Sequence, residues 1–218
     1  MNSDRRAHRR SGKSIMLQHE FELWSRGRLH VAGIDEAGRG PLAGPVVAAA
    51  VVFPGDTFIP GVTDSKQLTV DEREEFYTMI IREALAVGVG VVDNGVIDKI
   101  NILNATFQAM HQAIDQLSVR PDHLLVDGNR FIDCGIPFST IIEGDARSFS
   151  IASASIIAKV TRDRMMASYD VMFPGYGFAQ HKGYATRLHR EAILDLGYSA
   201  LHRRSFALDT QVELVFED

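Results

Sequence analysis

Hydrophobic residues along the chain occur in short continuous runs that are separated by amphipathic or polar stretches. The runs cover residues 29–35, 46–53, 87–93, 124–127 and 138–142. Runs of this length, most of them rich in Val, Ile or Leu, are typical of buried β-strands. The sequence therefore predicts five strands, with a Gly- and Pro-rich turn directly after the first.

Helical patterns fill the longer intervals between these runs. Thr69 and Glu72 form a capping box that predicts a helix from there to about residue 85. A longer helix is predicted over residues 96–117, because its apolar residues step by four and three positions and share one face. The residues of this face are Val96, Ile100, Leu103, Phe107, Met110, Ile114 and Leu117.

Two more helices are predicted over residues 148–169 and 187–196, the second ended by Gly197. Alternating strands and helices indicate an α/β fold, in which a mixed sheet carries helices on its faces. Asp35 and Asp127 fall at the C-terminal ends of apolar strands, where α/β sheets usually bind ligands. This placement is the first indication of a functional site.

Charge is unevenly distributed along the chain. The formal net charge is −5. Residues 1–30 contain seven Lys or Arg and three Asp or Glu, which gives them a net charge of +4 and leaves −9 for the remainder. Residues 1–28 are predicted to be a basic, flexible leader, with a mitochondrial presequence as the alternative. Basic segments such as residues 180–190 can still bind phosphates on an acidic chain.

Several classes of protein are disfavoured by composition. The single cysteine, Cys134, cannot form an internal disulfide, and no Cys/His spacing suggests a zinc site. No window approaches the 18 or so apolar residues of a membrane span. We expect a protein without a membrane partner in the reducing cytoplasm.

Four acidic residues stand at the edges of apolar segments: Asp35, Glu36, Asp127 and Asp145. Each alone can be structural, and Asp145 is placed to be the N-cap of the following helix. Neighbours on a regular strand point to opposite faces, so Asp35 and Glu36 share a site only if the strand ends there. The Gly38-Arg-Gly40 turn provides the backbone freedom for such an end.

If these acids converge, their chemistry is constrained. Two carboxylates about 4 Å apart repel by roughly 4 kcal/mol at an effective dielectric constant near 20. Hard oxygen ligands without Cys or His favour Mg²⁺ or Mn²⁺ over zinc. Two such ions could activate water and stabilise the leaving oxygen of a phosphodiester.

The segment from Gly33 to Pro45, Gly-Ile-Asp-Glu-Ala-Gly-Arg-Gly-Pro-Leu-Ala-Gly-Pro, resembles the signature of type 2 ribonucleases H, specifically bacterial ribonuclease HII. Further segments match that family in the same order over about residues 31–207. They are Asp64-Ser-Lys66, Asn101-Ile-Leu-Asn104, Asp127-Gly-Asn129, Gly144-Asp145, Ala154-Ser-Ile-Ile-Ala-Lys-Val-Thr-Arg-Asp-Arg164, His181-Lys-Gly-Tyr184 and His202-Arg-Arg-Ser-Phe206. An aspartate as the fourth acid, and no added domain before Val31, favour ribonuclease HII over ribonuclease HIII.

The resemblance implies a ribonuclease H-like fold over residues 29–207, with a central mixed five-stranded sheet, flanking helices and a C-terminal helical extension, followed by an acidic tail over residues 208–218. It implies that Asp35, Glu36 and Asp127 are the principal metal ligands and that Asp145 completes the shell of a second Mg²⁺ or Mn²⁺. The implied reaction is cleavage of RNA in RNA–DNA hybrids and 5′ of single ribonucleotides in duplex DNA. It leaves a 3′-hydroxyl and a 5′-phosphate and serves ribonucleotide removal during replication and repair.

Recognition of a lone ribonucleotide requires contact with its 2′-hydroxyl. Gly38, Arg39 and Gly40 suit this task, because glycine lets the backbone approach a sugar closely. Tyr184 resembles the family tyrosine that packs at the junction near the 2′-hydroxyl. Basic residues expected to contact phosphates, in addition to Arg39, are Lys66, Arg147 and Lys182; roles for His181, His189 and His202 are left open.

Residues 211–216, from Gln211 to Phe216, resemble the peptide with which bacterial proteins dock on the replication sliding clamp, although a solvated tail or an edge strand is the alternative. We otherwise expect a monomer.

Three rival functions are considered. They are another nuclease of the same fold that cuts DNA, a nucleotide-binding protein that uses residues 38–44 as a phosphate loop, and an inactive binding module. The loop lacks the Gly-Lys-Ser/Thr ending of a phosphate loop, and the complete set of four acids argues against an inactive module.

Overall fold

The computed structural model describes residues 15–207, and within them the five predicted strands form one sheet. They are β1 (Val31–Ala37), β2 (Val46–Val52), β3 (Ala86–Val92), β4 (His123–Asp127) and β5 (Phe138–Ile141). The strand order is β3-β2-β1-β4-β5. β2 is antiparallel to β1 and β3, whereas β4 is parallel to β1 and β5, so the predicted mixed sheet is confirmed.

Helices cover both faces of the sheet. They are α1 (Gln18–Ser25), α2 (Val70–Glu83), α3 (Asn94–Asp115), α4 (Phe149–Met172), α5 (Phe178–His181) and α6 (Arg187–Leu196), with short 3-10 helices at Ser65–Gln67 and Gly144–Ala146. The predicted capping box is present, because the Glu72 amide donates to the Thr69 hydroxyl and the Thr69 amide donates to the Glu72 carboxylate. None of the helices within residues 15–207 combines the length and hydropathy needed to cross a lipid bilayer.

Side-chain alternation along the strands divides the core into two layers. One layer packs Ala32 and Ile34 of β1 against α3 residues such as Met110. The other packs Ala49 and Val51 of β2 against α4. The sheet is therefore buried on both sides, which explains why its strands read as continuous apolar runs rather than as alternating ones.

The long helix α3 departs from the single continuous face that its apolar pattern predicted. Asn101 has φ +66° and ψ 164°, which interrupts the helix. Its side-chain oxygen accepts the Asn104 amide and so caps the second half. Leu103, placed on the apolar face by the pattern, is 37% exposed. The prediction was wrong at this point because spacing alone does not report a local break in the backbone.

Helix α1 lies in the segment that was expected to be a flexible leader. Leu17 and Leu23 are buried. The buried Glu20 carboxylate accepts hydrogen bonds from the Ser148 hydroxyl at 2.7 Å and from the Ser150 amide at 3.0 Å. The expectation of flexibility up to residue 28 is therefore not met by residues 18–25, which dock onto the start of α4. The possible clamp peptide, residues 211–216, lies outside the described residues.

Candidate active site at the ends of β1 and β4

Parallel pairing of β1 and β4 brings two of the predicted acids to one edge of the sheet. Ile34 is the register partner of Val126, so Asp35 and Asp127 are the next residues along two adjacent strands. Asp35 is 4% exposed. The central geometric prediction, that acids distant in the sequence meet at the ends of apolar strands, is met by this pair.

The loop after β5 brings a third acid, Asp145, to the same edge of the sheet. The Gly144 amide donates to Asp127 Oδ1 at 2.7 Å, which places the 3-10 helix containing Asp145 beside the end of β4. Asp145 does not cap α4, contrary to its structural alternative, because Ser148 is the N-cap and its hydroxyl accepts the Ile151 amide. Asp145 is buried without a helix-capping role.

Asp35 and Glu36 share the site in a different way from the one expected. The strand was predicted to end at Asp35, but β1 continues through Ala37. Glu36 Oε1 accepts Arg39 Nη1 at 3.1 Å, and Asp35 Oδ1 accepts the Glu36 amide at 2.7 Å. Both acids interact electrostatically with Asp127.

Burial and mutual repulsion make these acids hard to ionise. Burial raises the pKa of Asp35 well above its usual value, and the charges of Glu36 and Asp127 raise it further. Burial also raises the pKa of Glu36, against the lowering effect of Arg39. Burial raises the pKa of Asp145 as well, against the lowering effect of Lys66. The site is thus short of positive charge.

Lys66 supplies part of the missing charge. Its ammonium lies 3.2 Å from Asp145 Oδ2 and 3.5 Å from Asp64 Oδ1. These carboxylates raise the pKa of Lys66 even though burial acts in the opposite direction. Asp64 was quoted in the Asp64-Ser-Lys66 motif but not assigned to the site, and its contact with Lys66 makes it an additional acid there. Ser155 of α4, also unassigned, hydrogen-bonds Asp35 and lowers its pKa.

The donor set suits a hard divalent cation. Carboxylate oxygens from Asp35, Glu36, Asp127 and Asp145 are the ligand type that Mg²⁺ and Mn²⁺ prefer. Within residues 15–207, no group of three or more His, Cys, Asp or Glu side chains is arranged to enclose a metal ion by itself. Mg²⁺ usually keeps several waters and binds through one or two carboxylates plus substrate phosphates. The acids therefore fit an open site that the substrate completes.

The Gly-Arg-Gly turn lies beside these acids. Gly38 has φ +95°, and a Cβ there would collide with the Arg162 side chain, so no other residue fits. Arg39 and Gly40 are exposed. A Cβ on Gly40 would lie 3.8 Å from Tyr184 Cε1, and Tyr184 is 44% exposed. The structure thus brings the turn and Tyr184 together on an accessible surface.

The other two residues predicted to contact phosphates, Lys182 and Arg147, hydrogen-bond backbone carbonyls. The Lys182 ammonium donates to the Ala179 carbonyl at 2.6 Å, and Arg147 Nη1 donates to the Ile142 carbonyl at 3.2 Å. Neither side chain forms an ion pair with another of the described residues. Their phosphate contacts stay a prediction.

The three histidines left open by the sequence form one buried cluster, which we call the histidine cluster (His181, His189 and His202). The His181 and His189 rings stack with centroids 4.3 Å apart. His189 Nε2 lies 3.1 Å from His202 Nε2. Burial lowers the pKa of His189 and of His202 to about 4. His189 and His202 are therefore neutral at physiological pH.

Hydrogen bonds define the role of the histidine cluster. His181 Nδ1 accepts the Gly183 amide, and its Nε2 lies 2.7 Å from the Tyr176 carbonyl. His189 Nδ1 lies 2.9 Å from the Tyr184 carbonyl. The cluster thus holds the backbone that carries Tyr184 and does not face the acids as a proton donor or acceptor.

Proteins with similar sequences belong to the ribonuclease HII family. The family model described as ribonuclease HII matches residues 32–209. The ribonuclease HII of Geobacter sp. strain M21 is 57% identical over 192 residues, which cover 88% of this chain and 84% of that protein.

Solved structures give the same result at lower identity. The ribonuclease H2 from Pyrococcus horikoshii OT3 aligns with a TM-score of 0.69 and 28% identity over 82% of this chain and 94% of that one. The ribonuclease HII in a complex with PCNA from Archaeoglobus fulgidus aligns with a TM-score of 0.71 and 27% identity over 85% and 98% of the two chains. The predicted ribonuclease H-like fold is confirmed.

Proposed function

The chain belongs to the ribonuclease HII family, and we propose that it hydrolyses the RNA strand of RNA–DNA hybrids and nicks duplex DNA 5′ of single embedded ribonucleotides. The products carry a 3′-hydroxyl and a 5′-phosphate. The observation that carries this proposal is the meeting of Asp35 and Asp127 at one sheet edge, next to an exposed Gly-Arg-Gly turn and Tyr184. An acid cluster supplies the cutting chemistry, and the adjacent turn supplies contact with a sugar.

Asp35, Glu36 and Asp127 would hold the metal ions, with Asp145 completing the shell of the second. Bound Mg²⁺ or Mn²⁺ supplies Lewis acidity, which activates water and neutralises charge that develops on the phosphate. The protein's own contribution is orientation. The Gly144 amide fixes the Asp127 carboxylate, and the Glu36 amide fixes that of Asp35, so the ligands need little rearrangement.

The basic side chains around the acids have a second role in this proposal. Lys66 touches Asp145 and Asp64, and Arg39 touches Glu36. Both side chains are at least half exposed and can turn to phosphates when cations neutralise the acids. Lys182 and Arg147 extend the phosphate-binding surface. Such contacts make binding fall steeply with increasing salt.

The direct test uses three matched duplexes. One is all-deoxy DNA, one carries a single ribonucleotide, and one is an RNA–DNA hybrid. Each is incubated with the enzyme in Mg²⁺, in Mn²⁺ or in chelator, and the ends of the products are determined. We expect cleavage of the two ribose-containing duplexes in either metal and no cleavage in chelator. Equal cleavage of the all-deoxy duplex would instead indicate a DNA nuclease of the same fold.

A cellular role in ribonucleotide removal follows from this substrate. The free thiol of Cys134 is compatible with work in the reducing cytoplasm, where DNA is replicated. We expect a monomer, because the site is assembled within one chain. Light scattering at assay concentrations measures this, and a dimer that splits with loss of activity would contradict it.

We also propose that residues 211–216 dock on the replication sliding clamp. The support is the peptide pattern, together with the complex that the Archaeoglobus fulgidus relative forms with PCNA. The test is a pulldown with purified clamp, in which wild type is compared with a chain truncated after Ala207. We expect truncation to abolish clamp binding and to leave cleavage of a short duplex unchanged. Unchanged clamp binding would refute this part.

A further inference from the structure

Two arginines are buried beneath the Gly-Arg-Gly turn without a carboxylate partner. Arg162 of α4 and Arg203 near the C-terminal end of the described chain are each 1% exposed. Neither forms an ion pair with any residue in the range 15–207. Burial lowers the pKa of Arg203 to about 9, and the positive charge of Arg162 contributes. Two unpaired cations in contact with one loop are costly, and a merely apolar filling would avoid that cost.

Both guanidinium groups donate hydrogen bonds to backbone carbonyls. Arg203 donates to the carbonyls of Gly38 at 2.6 Å, Arg39 at 2.9 Å and Gly44 at 3.0 Å. Arg162 does the same through its three nitrogens, to the carbonyls of Ala43 (3.1 Å), Pro45 (2.9 Å) and Lys182 (3.0 Å). Five of the six acceptors lie within residues 38–45. The two side chains thus determine which way the peptide groups of this loop face.

The inward carbonyls have a consequence for the amides. In a planar trans peptide, the C=O and the following N–H point in opposite directions. Because the Gly38 and Arg39 carbonyls face Arg203, the amides of Arg39 and Gly40 face outward. Both residues are exposed, and neither amide donates to an acceptor in the described part of the chain. The turn therefore presents two adjacent hydrogen-bond donors to solvent.

The same arginines join this turn to Tyr184. Arg162 bonds the Lys182 carbonyl, and the Leu42 amide donates to the Gly183 carbonyl at 2.8 Å. The Arg162 guanidinium also lies 6.0 Å from the centre of the Tyr184 ring. The outward amides and the tyrosine ring are consequently held in one fixed arrangement.

We propose that Arg162 and Arg203 are positioning residues for ribose recognition, which hold the loop carbonyls inward so that the Arg39 and Gly40 amides donate to the 2′-oxygen of a ribonucleotide. The inference rests on the proposed function. A ribonucleotide offers an acceptor at that place, whereas a deoxynucleotide covers the two amides and leaves them unpaired, and unpaired buried donors are strongly disfavoured. The discrimination against DNA thus depends on two side chains that do not touch the substrate.

The test measures discrimination rather than activity alone. Dissociation constants for the single-ribonucleotide duplex and its all-deoxy counterpart are measured in chelator, where neither is cut. For Arg203→Lys and Arg162→Lys, we expect the ratio of the two constants to fall at least fivefold towards one. The neighbours Arg204→Lys and Arg164→Lys, which replace exposed arginines, should keep the wild-type ratio.

A purely structural role would change the melting temperature without changing this ratio. An unchanged ratio in folded Arg203→Lys and Arg162→Lys, or an equal loss of affinity for both duplexes, would overturn the proposal. The equal loss would indicate that the amides bind phosphate instead.

A second measurement needs no variant and covers the case in which the lysine variants do not fold. In ¹⁵N-labelled wild type without metal, the Arg39 and Gly40 amide resonances should shift when the ribonucleotide duplex is added and shift less with the all-deoxy duplex. Identical shifts would contradict the inference. If wild type cleaves ribose-containing duplexes yet these results fail, only this inference falls; if wild type does not cleave them, the proposed function falls.

Discussion

The four acids Asp35, Glu36, Asp127 and Asp145, here called the acid site, and the histidine cluster are two groups of ionisable side chains. Their surroundings affect them in opposite ways. In the acid site, Asp35 and Glu36 have pKa values raised by burial, and each also feels the negative charge of Asp127. In the histidine cluster, burial lowers the pKa of His189 and of His202. Each ring nitrogen of the cluster that forms a hydrogen bond does so with the backbone, with Ser199 or with another ring.

The difference distinguishes a site from a scaffold. A complete network of neutral hydrogen bonds needs nothing from outside the protein and rigidifies its surroundings. A cluster of buried, mutually repelling carboxylates is destabilised until cations or protons arrive. Histidines are common acid–base catalysts, yet here the uncompensated charge lies with the acids.

The largest expected effect comes from removing one acid. Asp127→Asn keeps the volume of the side chain and removes a proposed metal ligand, so kcat on the single-ribonucleotide duplex should fall by about 10³-fold or more. Asp133→Asn, which alters an exposed acid six residues later, should behave like wild type. Steady-state kinetics and circular dichroism measure activity and folding. Comparable turnover in Asp127→Asn and wild type would refute the assignment.

The histidine cluster should make the free energy of unfolding fall at acid pH. The unfolded chain binds protons at these histidines near pH 6.5, whereas folded His189 and His202 bind them only near pH 4. Stability is therefore present above pH 6.5 and is lost as the pH falls towards 4, by up to roughly 3 kcal/mol for each histidine.

Urea titrations between pH 8 and 4.5 measure this effect. His202→Gln should be less stable at pH 8 and should show a shallower loss of stability on acidification, while His111→Gln, which changes a histidine outside the cluster, should keep the wild-type slope. An unchanged slope in His202→Gln would show that its protonation does not differ between the two states.

A smaller effect is expected for the stability of the metal-free protein. Asp35→Asn removes a buried charge that repels its neighbours, and should raise the free energy of unfolding by about 1–2 kcal/mol at pH 8 in chelator. Because the folded pKa of Asp35 is raised, the gain is present above the ordinary carboxyl range and disappears as the pH falls to about 4.

Thermal melts with and without Mg²⁺ complete this comparison. Mg²⁺ should raise the melting temperature of wild type more than that of Asp35→Asn. A variant that is less stable than wild type in chelator would mean that the acids do not strain the fold.

Sequence patterns predicted the strands of the sheet and the position of Asp35 and Asp127 at strand ends, because both features depend on local composition. Asp35 and Asp127 end apolar runs, and parallel pairing then brings them together. The pattern did not predict the break at Asn101, which depends on one side chain capping its own helix. It also missed Arg162 and Arg203, because a buried cation bonded to carbonyls looks like any surface arginine until the loop above it is folded. Asp64 was visible within a motif, but its role emerged only from its contact with Lys66.

In the proposed mechanism, Asp35, Glu36, Asp127 and Asp145 hold divalent cations against a scissile phosphate. Anomalous diffraction at the manganese edge, from crystals of Asp145→Asn soaked with Mn²⁺ and bound to a single-ribonucleotide duplex, locates such ions directly. We predict a manganese peak bounded by Asp35, Glu36 and Asp127 beside the phosphate at the ribonucleotide, with a weaker second peak near residue 145. Manganese bound elsewhere, with none at these carboxylates, would show that they are not the metal ligands.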